Sequence, residues 1–398
     1  MSIKIVIGSG NGDEGKGHTV DWLCANNPNS CVIRFNGGSQ AAHTVVTDDG
    51  RKHTFRTFGS GTLQGVPTFL TEDFIFNSDS LLAEFKELEA LGVTRPEITT
   101  SIDCQLTTPY DQMINWSVER YRNEGRHGSC GFGIGETVER CQTEFATHVR
   151  DLYNITRAEF IERLRVIERE WVPLRLSKLG VPYVESEWTL SNEQLKEFWE
   201  RIVQTKELIQ PVDKKHTKLV LSFYDNLIFE GAQGLYLDQN SKFFPYVTRS
   251  NTGTTNALNF IKQFNLQGSI EIFYVTRAYA TRHGAGPLAH ENPYMAFCDD
   301  ENVPNEWQGA MRYAPINIDL LQEFIGADIE NYKHIKCTVN LMITCIDQIS
   351  DESVRTVMDG TLQKLKSIEC LVDNITAAVN CDWVFLSYGP KTSDIELR

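Results

Sequence analysis

The feature that most constrains this chain is the join between IKIVI (3–7) and SGNGDEGKGHT (9–19). Four of these five residues are apolar and β-branched, broken only by Lys4, and read as a strand buried on both faces. The glycine-rich segment behind it is too flexible for a helix interior and too charged for a core. TVDWLCAN (19–26) then reads as a helix. Strand, glycine loop and helix together let backbone N–H groups and a helix N-terminus approach an anion.

Other apolar runs hand over to polar or glycine turns in the same way. They are CVIRF (31–35), LIFEG (227–231), IEIFYVTRAYATR (270–282), TVNLMITCID (338–347) and DWVFLSYGP (382–390). LLAEFKELEAL (81–91) has helical period, and residues 155–210, rich in Glu, Arg, Leu and Trp, read as a helical insertion. The expectation is an α/β fold over 1–398: one domain whose central, largely parallel sheet carries helices on both faces, with a P-loop-like first βα turn. Ligands in such sheets gather at the carboxyl ends of the strands. The loops beginning near Gly8, Asn36, Gly231, Arg282 and Asp347 are therefore expected on one rim.

A formal net charge of −15 argues against nucleic acid or an anionic membrane as partner, because both bind through attraction to phosphate. It leaves room for a small anion in a local positive pocket. No run approaches the roughly 18 apolar residues of a membrane span, and MSIKIVIGSG has no signal-peptide pattern. Ten cysteines without a C-x-x-C pair read as reduced thiols, so a cytoplasmic location is expected.

Two motifs compete for residues 8–17. G-x-x-x-x-G-K-[ST] fits Gly10 to Lys16 but meets Gly17 where Ser or Thr should stand. G-x-G-x-x-G fits Gly10, Gly12 and Gly15 but needs an acid about 20 residues on to hold a ribose. The next strand instead ends in Arg34-Phe35-Asn36. A solvated acidic turn is a third reading. Neither phosphate motif accounts for Asp13-Glu14, since a carboxylate there repels phosphate unless a metal bridges the two or the carboxylate is itself a catalyst.

GNGDEGKG (10–17) resembles the opening motif of the adenylosuccinate synthetase family, which reads QWGDEGKGK. The resemblance continues collinearly through RFNGGSQAAHTVV (34–46), GSCGFGIGE (128–136), FEGAQGLYLD (229–238), FPYVTRSNT (244–252), TRHGAGPLAHE (281–291), TCID (344–347) and SYGP (387–390). It implies a Mg²⁺-dependent C–N ligase: a nucleoside triphosphate phosphorylates the 6-oxygen of a purine monophosphate, and the amine of L-aspartate displaces that phosphate.

By this match Asp13 is the base that removes the purine N1 proton and also a metal ligand, with the carbonyl of Ala42. His43 is the general acid, and Gln233 sits beside it in the reaction zone. Gly12, Gly15, Lys16, Gly17, Thr44, Asp347, Ser387 and Gly389 fall on the triphosphate. Asn11, Gln40, Ser129, Cys130, Leu237, Thr248 and Arg249 fall with Asp13 and Gln233 on the purine monophosphate, and Arg312 on L-aspartate. The family also implies a homodimer in which the partner subunit lends an arginine to the 5′-phosphate.

The departures bear on the substrate. Gly10-Asn11 replaces Gln-Trp, Gln40 replaces Asn, Cys130 replaces Thr, and Arg249 replaces Ser. The partner's arginine falls near Glu144, and the family's T-T-G-R-x-R-R loop becomes NEWQGAMRYAP (305–315), with Arg312 alone. A relative with a changed substrate fits this pattern. The phage-type branch joins dGMP to L-aspartate with ATP or dATP, giving N6-succino-2-amino-2′-deoxyadenylate. There Asn11 is expected to make room for, or hydrogen-bond to, a 2-amino group. The ordinary reaction of IMP, L-aspartate and GTP is the alternative, and Asp347 suits guanine.

Overall fold

Ser2–Gly8 is buried almost throughout and lies in the middle of a ten-stranded sheet. In this computed structural model, which describes residues 1–295, 297 and 308–398, the strand order is Ile395–Leu397, Trp383–Ser387, Cys337–Thr344, Ser269–Arg277, Ser2–Gly8, Asn226–Gly234, Ser30–Arg34, Thr68–Leu70, Ile98–Ser101 and Gln210–Val212. Every neighbouring pair is parallel except the edge pair Trp383–Ser387 with Ile395–Leu397.

Strand alternation divides the apolar side chains between the two faces. Ile3, Ile5, Ile7, Ile33, Phe229, Ile272 and Ile343 join the larger cluster. Val6, Val32, Ile228, Phe273 and Met342 turn the other way, onto Val20, Leu23 and Cys24 of the first helix, Lys16–Asn26. Each such side chain contributes about 1.5–3 kcal/mol through burial. Both faces are covered, which explains why these strands read as unbroken apolar runs.

A third cluster lies under the segment expected to be a helical insertion. Helices Arg157–Val166, Val172–Leu179 and Asn192–Leu208 bury Phe160, Leu164, Leu176, Leu195 and Phe198 against Phe55, Phe76, Leu106 and Tyr110. Capping boxes at Thr156/Glu159 and Ser191/Gln194 start two of these helices. The segment is tied to the helix Ile134–Cys141 through Arg175, which grips Glu136 in two hydrogen bonds of 2.6 and 3.1 Å.

Of the antiparallel pairs that stand off the sheet, one carries His43. His43–Val46 pairs with Lys52–Phe55, setting His43 opposite Phe55 and Thr44 opposite Thr54. Among the described residues no helix is long and apolar enough to cross a membrane.

Candidate active site

The loop after the first strand is braced from within. Glu14 is buried, and its carboxylate accepts from the N–H groups of Gly10 at 3.0 Å and Gly12 at 2.6 Å. Lys16 Nζ donates to Glu14 Oε2 at 3.3 Å and to the Gly12 carbonyl at 2.7 Å. Gly15 has φ 96° and stands at the N-terminus of the first helix, which has no capping side chain and no acid in its first turn. The opening N–H groups of this helix are thus left for an anion. Gly17 permits a close approach: a Cβ there would sit 2.8 Å from His43 Cβ.

Asp13 rides on this braced loop, with its carbonyl accepting from Arg277 Nε. Burial pushes its carboxyl above the ordinary value; Arg277 and Lys16 pull the other way, and Glu14 reinforces the rise. Facing it, Asn226–Gly234 shifts register against the first strand between Val6 and Gly8. Gln233 follows that irregularity with φ 64°, a left-handed conformation uncommon outside glycine that costs about 1–3 kcal/mol. The bend turns its side chain toward the glycine loop, with Oε1 3.4 Å from an ideal Cβ on Gly12.

His43 is buried, and its Nδ1 lies 2.5 Å from Glu230 Oε1. Glu230, itself fully buried, also accepts from the Ser60 N–H at 3.0 Å and from the Ser60 hydroxyl. Its own burial opposes ionisation, but His43, Arg34 and these bonds outweigh that and hold it down to about 2. Burial draws His43 down to about 4 against the pull of Glu230. The open site therefore contains a neutral imidazole that gives its Nδ1 proton to an ionised carboxylate. Among the described residues His43 Nε2 has no partner, and neither has the side-chain amide of Gln40 at either end. Buried polar atoms left open in this way are expected where a ligand completes them.

These groups line one cleft of about 1110 Å³ at the carboxyl ends of the strands. Asn11, Gly12, Asp13, Gly15, Lys16, Gly17, Gln40, Ala42, His43, Thr44, Ser129, Cys130, Gln233, Leu237, Thr248, Arg249, Asp347, Ser387 and Gly389 all face it. Thr44 Oγ1 meets Thr54 Oγ1 at 2.9 Å, and Ser129 donates to Asn115 Oδ1 at 2.9 Å. Thr248 is held by its N–H on the Leu237 carbonyl at 2.9 Å. On the opposite flank Ser387 Oγ donates to the Gly389 carbonyl at 2.9 Å.

Two expected roles meet a different arrangement. Arg312 is not in the cleft lining: its guanidinium clasps both carboxylate oxygens of Glu291, at 3.0 and 2.5 Å, and donates to the carbonyls of Gly284 and Gly286. Residues 305–307 of the same loop lie outside the described residues. Asn11 lines the cleft, but its amide donates to the Thr281 carbonyl at 2.8 Å and accepts from Arg282 at 3.0 Å. Its carbonyl is already engaged and not held open for a 2-amino group.

Sequence reasoning noticed Glu14 without giving it a role and passed over Glu230 and Arg277. A lone acid in the buried strand LIFEG was the available signal, because an ionised carboxylate in a core demands a partner. The metal expectation fits the donors. Among the described residues no three acidic, His or Cys side chains gather as a cage. Asp13 and Ala42 offer oxygen donors beside the glycine loop, which suits a hard cation that takes its other ligands from water and phosphate.

The fold and the cleft together define a doubly wound α/β protein with a carboxylate inside the glycine-rich loop that opens its cleft. A sequence profile described as adenylosuccinate synthetase matches residues 5–305. The chain is 33% identical over 291 residues to an adenylosuccinate synthetase of Bordetella pertussis, covering 72% of this chain and 64% of that protein. It is 34% identical over 298 residues to one from Polynucleobacter necessarius, at 73% and 64% coverage. The matched part thus spans less than two thirds of the length of these curated relatives. The fully ligated adenylosuccinate synthetase of Plasmodium falciparum superposes with a TM-score of 0.73 at 16% identity, covering 99% of both chains. Cyanophage S-2L succinoaminodeoxyadenylate synthetase (PurZ), bound to dGMP and dATP, superposes at 0.60 with 15% identity, covering 100% of this chain and 95% of that one. The chain belongs to the adenylosuccinate synthetase family.

Proposed function

We propose that this chain is a purine-nucleotide:L-aspartate C–N ligase that works through a 6-phosphorylated purine. The observation that carries the reading is the presence of Asp13 and His43 in one cleft, with Glu230 buried behind the imidazole, beside a braced glycine loop with an open helix N-terminus. Asp13 takes the N1 proton of the purine, which places the electron pair on the 6-oxygen. That oxygen attacks the γ-phosphorus, and the bond to the β-phosphate oxygen breaks. The L-aspartate amine then adds at C6, inorganic phosphate leaves, and the nitrogen releases its proton.

Lys16 and the N–H groups of the first helical turn hold triphosphate oxygens. His43 turns its open Nε2 toward the oxygen being phosphorylated. With Glu230 on one side and a triphosphate on the other, the imidazole gains a proton it lacks in the open cleft and offers it as a hydrogen bond to the oxygens of the phosphoryl group in transfer, leaving the 6-oxygen free to attack. Asp13 and Ala42 would hold Mg²⁺, which supplies neutralisation of phosphate charge.

IMP, GTP and L-aspartate are the substrates best supported, because the curated relatives are ordinary adenylosuccinate synthetases and Asp347 suits guanine. A second reading, dGMP with ATP or dATP, draws on Gly10-Asn11 in place of Gln-Trp and on Cys130 in place of Thr. The engaged amide of Asn11 weakens it. We further infer a cytoplasmic homodimer acting on these small molecules alone.

Phosphate release measured with IMP, dIMP, GMP and dGMP, each crossed with GTP, ATP and dATP in the presence of L-aspartate and Mg²⁺, tests both readings. Aspartate-dependent release with IMP and GTP is expected. Release with dGMP alone selects the second reading, and no aspartate-dependent release with any pair removes both.

A further inference from the structure

The second strand of the chain, Ser30–Arg34, ends on an arginine that the proposed chemistry does not use. Arg34 is 0% exposed and lies in register beside Glu230 of the neighbouring strand Asn226–Gly234. Strand alternation turns both side chains to the face that carries Val32 and Ile228, under the first helix. Neighbouring strands stand about 4.8 Å apart, so a buried guanidinium and a buried carboxylate leave the sheet side by side.

One bend of the chain is held by both. Arg34 Nη1 donates to the Phe58 carbonyl at 3.0 Å, and Glu230 Oε2 accepts from the Ser60 N–H at 3.0 Å. Gly59 stands between these two contacts, where a Cβ would sit 2.5 Å from Val32 Cγ1. The bend also reaches the first helix, since a Cβ on Gly17 would sit 3.0 Å from Ser60 Oγ. Arg34 and Glu230 thus fix the same short segment, and Glu230 carries His43 on its other oxygen.

Hydrogen bonding does not account for a guanidinium at this depth. Its carbon lies 5.5 Å from the centroid of the Phe74 ring, and among the described residues Nε and Nη2 have no acceptor. A cation taken out of water needs a charge nearby to offset the cost. Glu230 is the carboxylate that the sheet sets beside it. Burial opposes ionisation of Glu230 in turn, and Arg34 is one of the charges that overcome it.

Building on the proposed ligase reading, we propose that Arg34 is a positioning residue for the phosphoryl transfer: its charge offsets that of Glu230, which keeps the carboxylate on His43 Nδ1 and Nε2 turned to the cleft. Arg34 is not in the cleft lining, so it acts through Glu230 and not on a substrate.

A double-variant cycle on the full chain tests this, read by melting temperature and by aspartate-dependent phosphate release. Arg34→Met and Glu230→Gln each leave one buried charge alone, and each is expected to lower the melting temperature by roughly 5 °C or more. Arg34→Met should lower kcat about 10- to 100-fold, with KM for the purine monophosphate little changed. The two substitutions together should melt above Arg34→Met, with kcat no lower than that of Glu230→Gln. Arg34→Lys, which keeps the charge without the fork, should recover much of kcat. Should Arg34→Met fail to fold, a folded double variant is the expected rescue, and a double variant that also fails overturns the proposal. Losses that add in both readouts, or an Arg34→Lys no more active than Arg34→Met, reduce Arg34 to a support for the Phe58 carbonyl. With an active wild type, those results sink this inference and leave the ligase reading standing. Wild type without aspartate-dependent release removes the ligase reading and the role in transfer together, even where the melting temperatures couple.

Discussion

His43 Nδ1 and Glu230 Oε1 are 2.5 Å apart, and the carboxylate behind them is shared with Ser60. The pair fixes which imidazole nitrogen faces the cleft. Replacing Glu230 with Gln keeps the volume and removes the charge that favours the imidazolium. The expected result is a fall in kcat of about 100-fold or more, with KM for the purine changing far less. Steady-state kinetics on the purified variant, with circular dichroism to verify the fold, provide the check.

Asp13→Asn should abolish turnover while GTP affinity, read by calorimetry, falls much less. Asn cannot accept the N1 proton, whereas the helix N-terminus and Lys16 remain. The raised pKa of Asp13 adds a pH signature. Its ionised form is the base, so in wild type the acid limb of kcat/KM lies above the ordinary aspartate value, and activity is lost as pH falls through it. A limb at or below the ordinary value would separate Asp13 from the proton transfer.

Gln233 holds a left-handed backbone at φ 64° that glycine adopts without strain. Gln233→Gly is expected to retain or raise the melting temperature while phosphate release collapses. Thermal denaturation beside a turnover assay reads both. A variant that loses stability and activity together would show that Gln233 only supports the loop.

Asp21, on the first helix, is buried, and burial raises its carboxyl to about 6 despite a 2.5 Å hydrogen bond from Gln64. The folded value lies above the unfolded one, so stability is fully present below the ordinary 3.8 and is lost as pH rises through about 6. The deficit above that pH is about 3 kcal/mol. Asp21→Asn, which can still accept from Gln64, should be more stable than wild type at pH 8 and equal to it near pH 4. Denaturant unfolding at the two pH values measures the difference.

The strands of the sheet were legible because they are buried on both faces, which writes them as apolar runs. The first helix was read three residues late. Lys16, Gly17 and His18 have little helical character of their own, and Gly17 is helical because only a residue without Cβ fits against His43. The hairpin went unread because its strands are four residues long and half polar, although Asp49-Gly50 is a turn signal.

At the site, the residues carried by glycine-rich motifs were readable and nearly all reach the cleft. Arg312 shows the limit: a guanidinium can be seen in a sequence, but its counter-ion cannot. Here Glu291, 21 residues away, takes that place.

The first strand lies between Asn226–Gly234 and Ser269–Arg277, segments more than two hundred residues downstream. A nascent chain that has emerged only as far as the helical segment has neither flank against which to order its opening loop. The cleft can thus form only once residue 277 has left the ribosome, and a fragment ending earlier keeps Asp13 unplaced however well its own helices form.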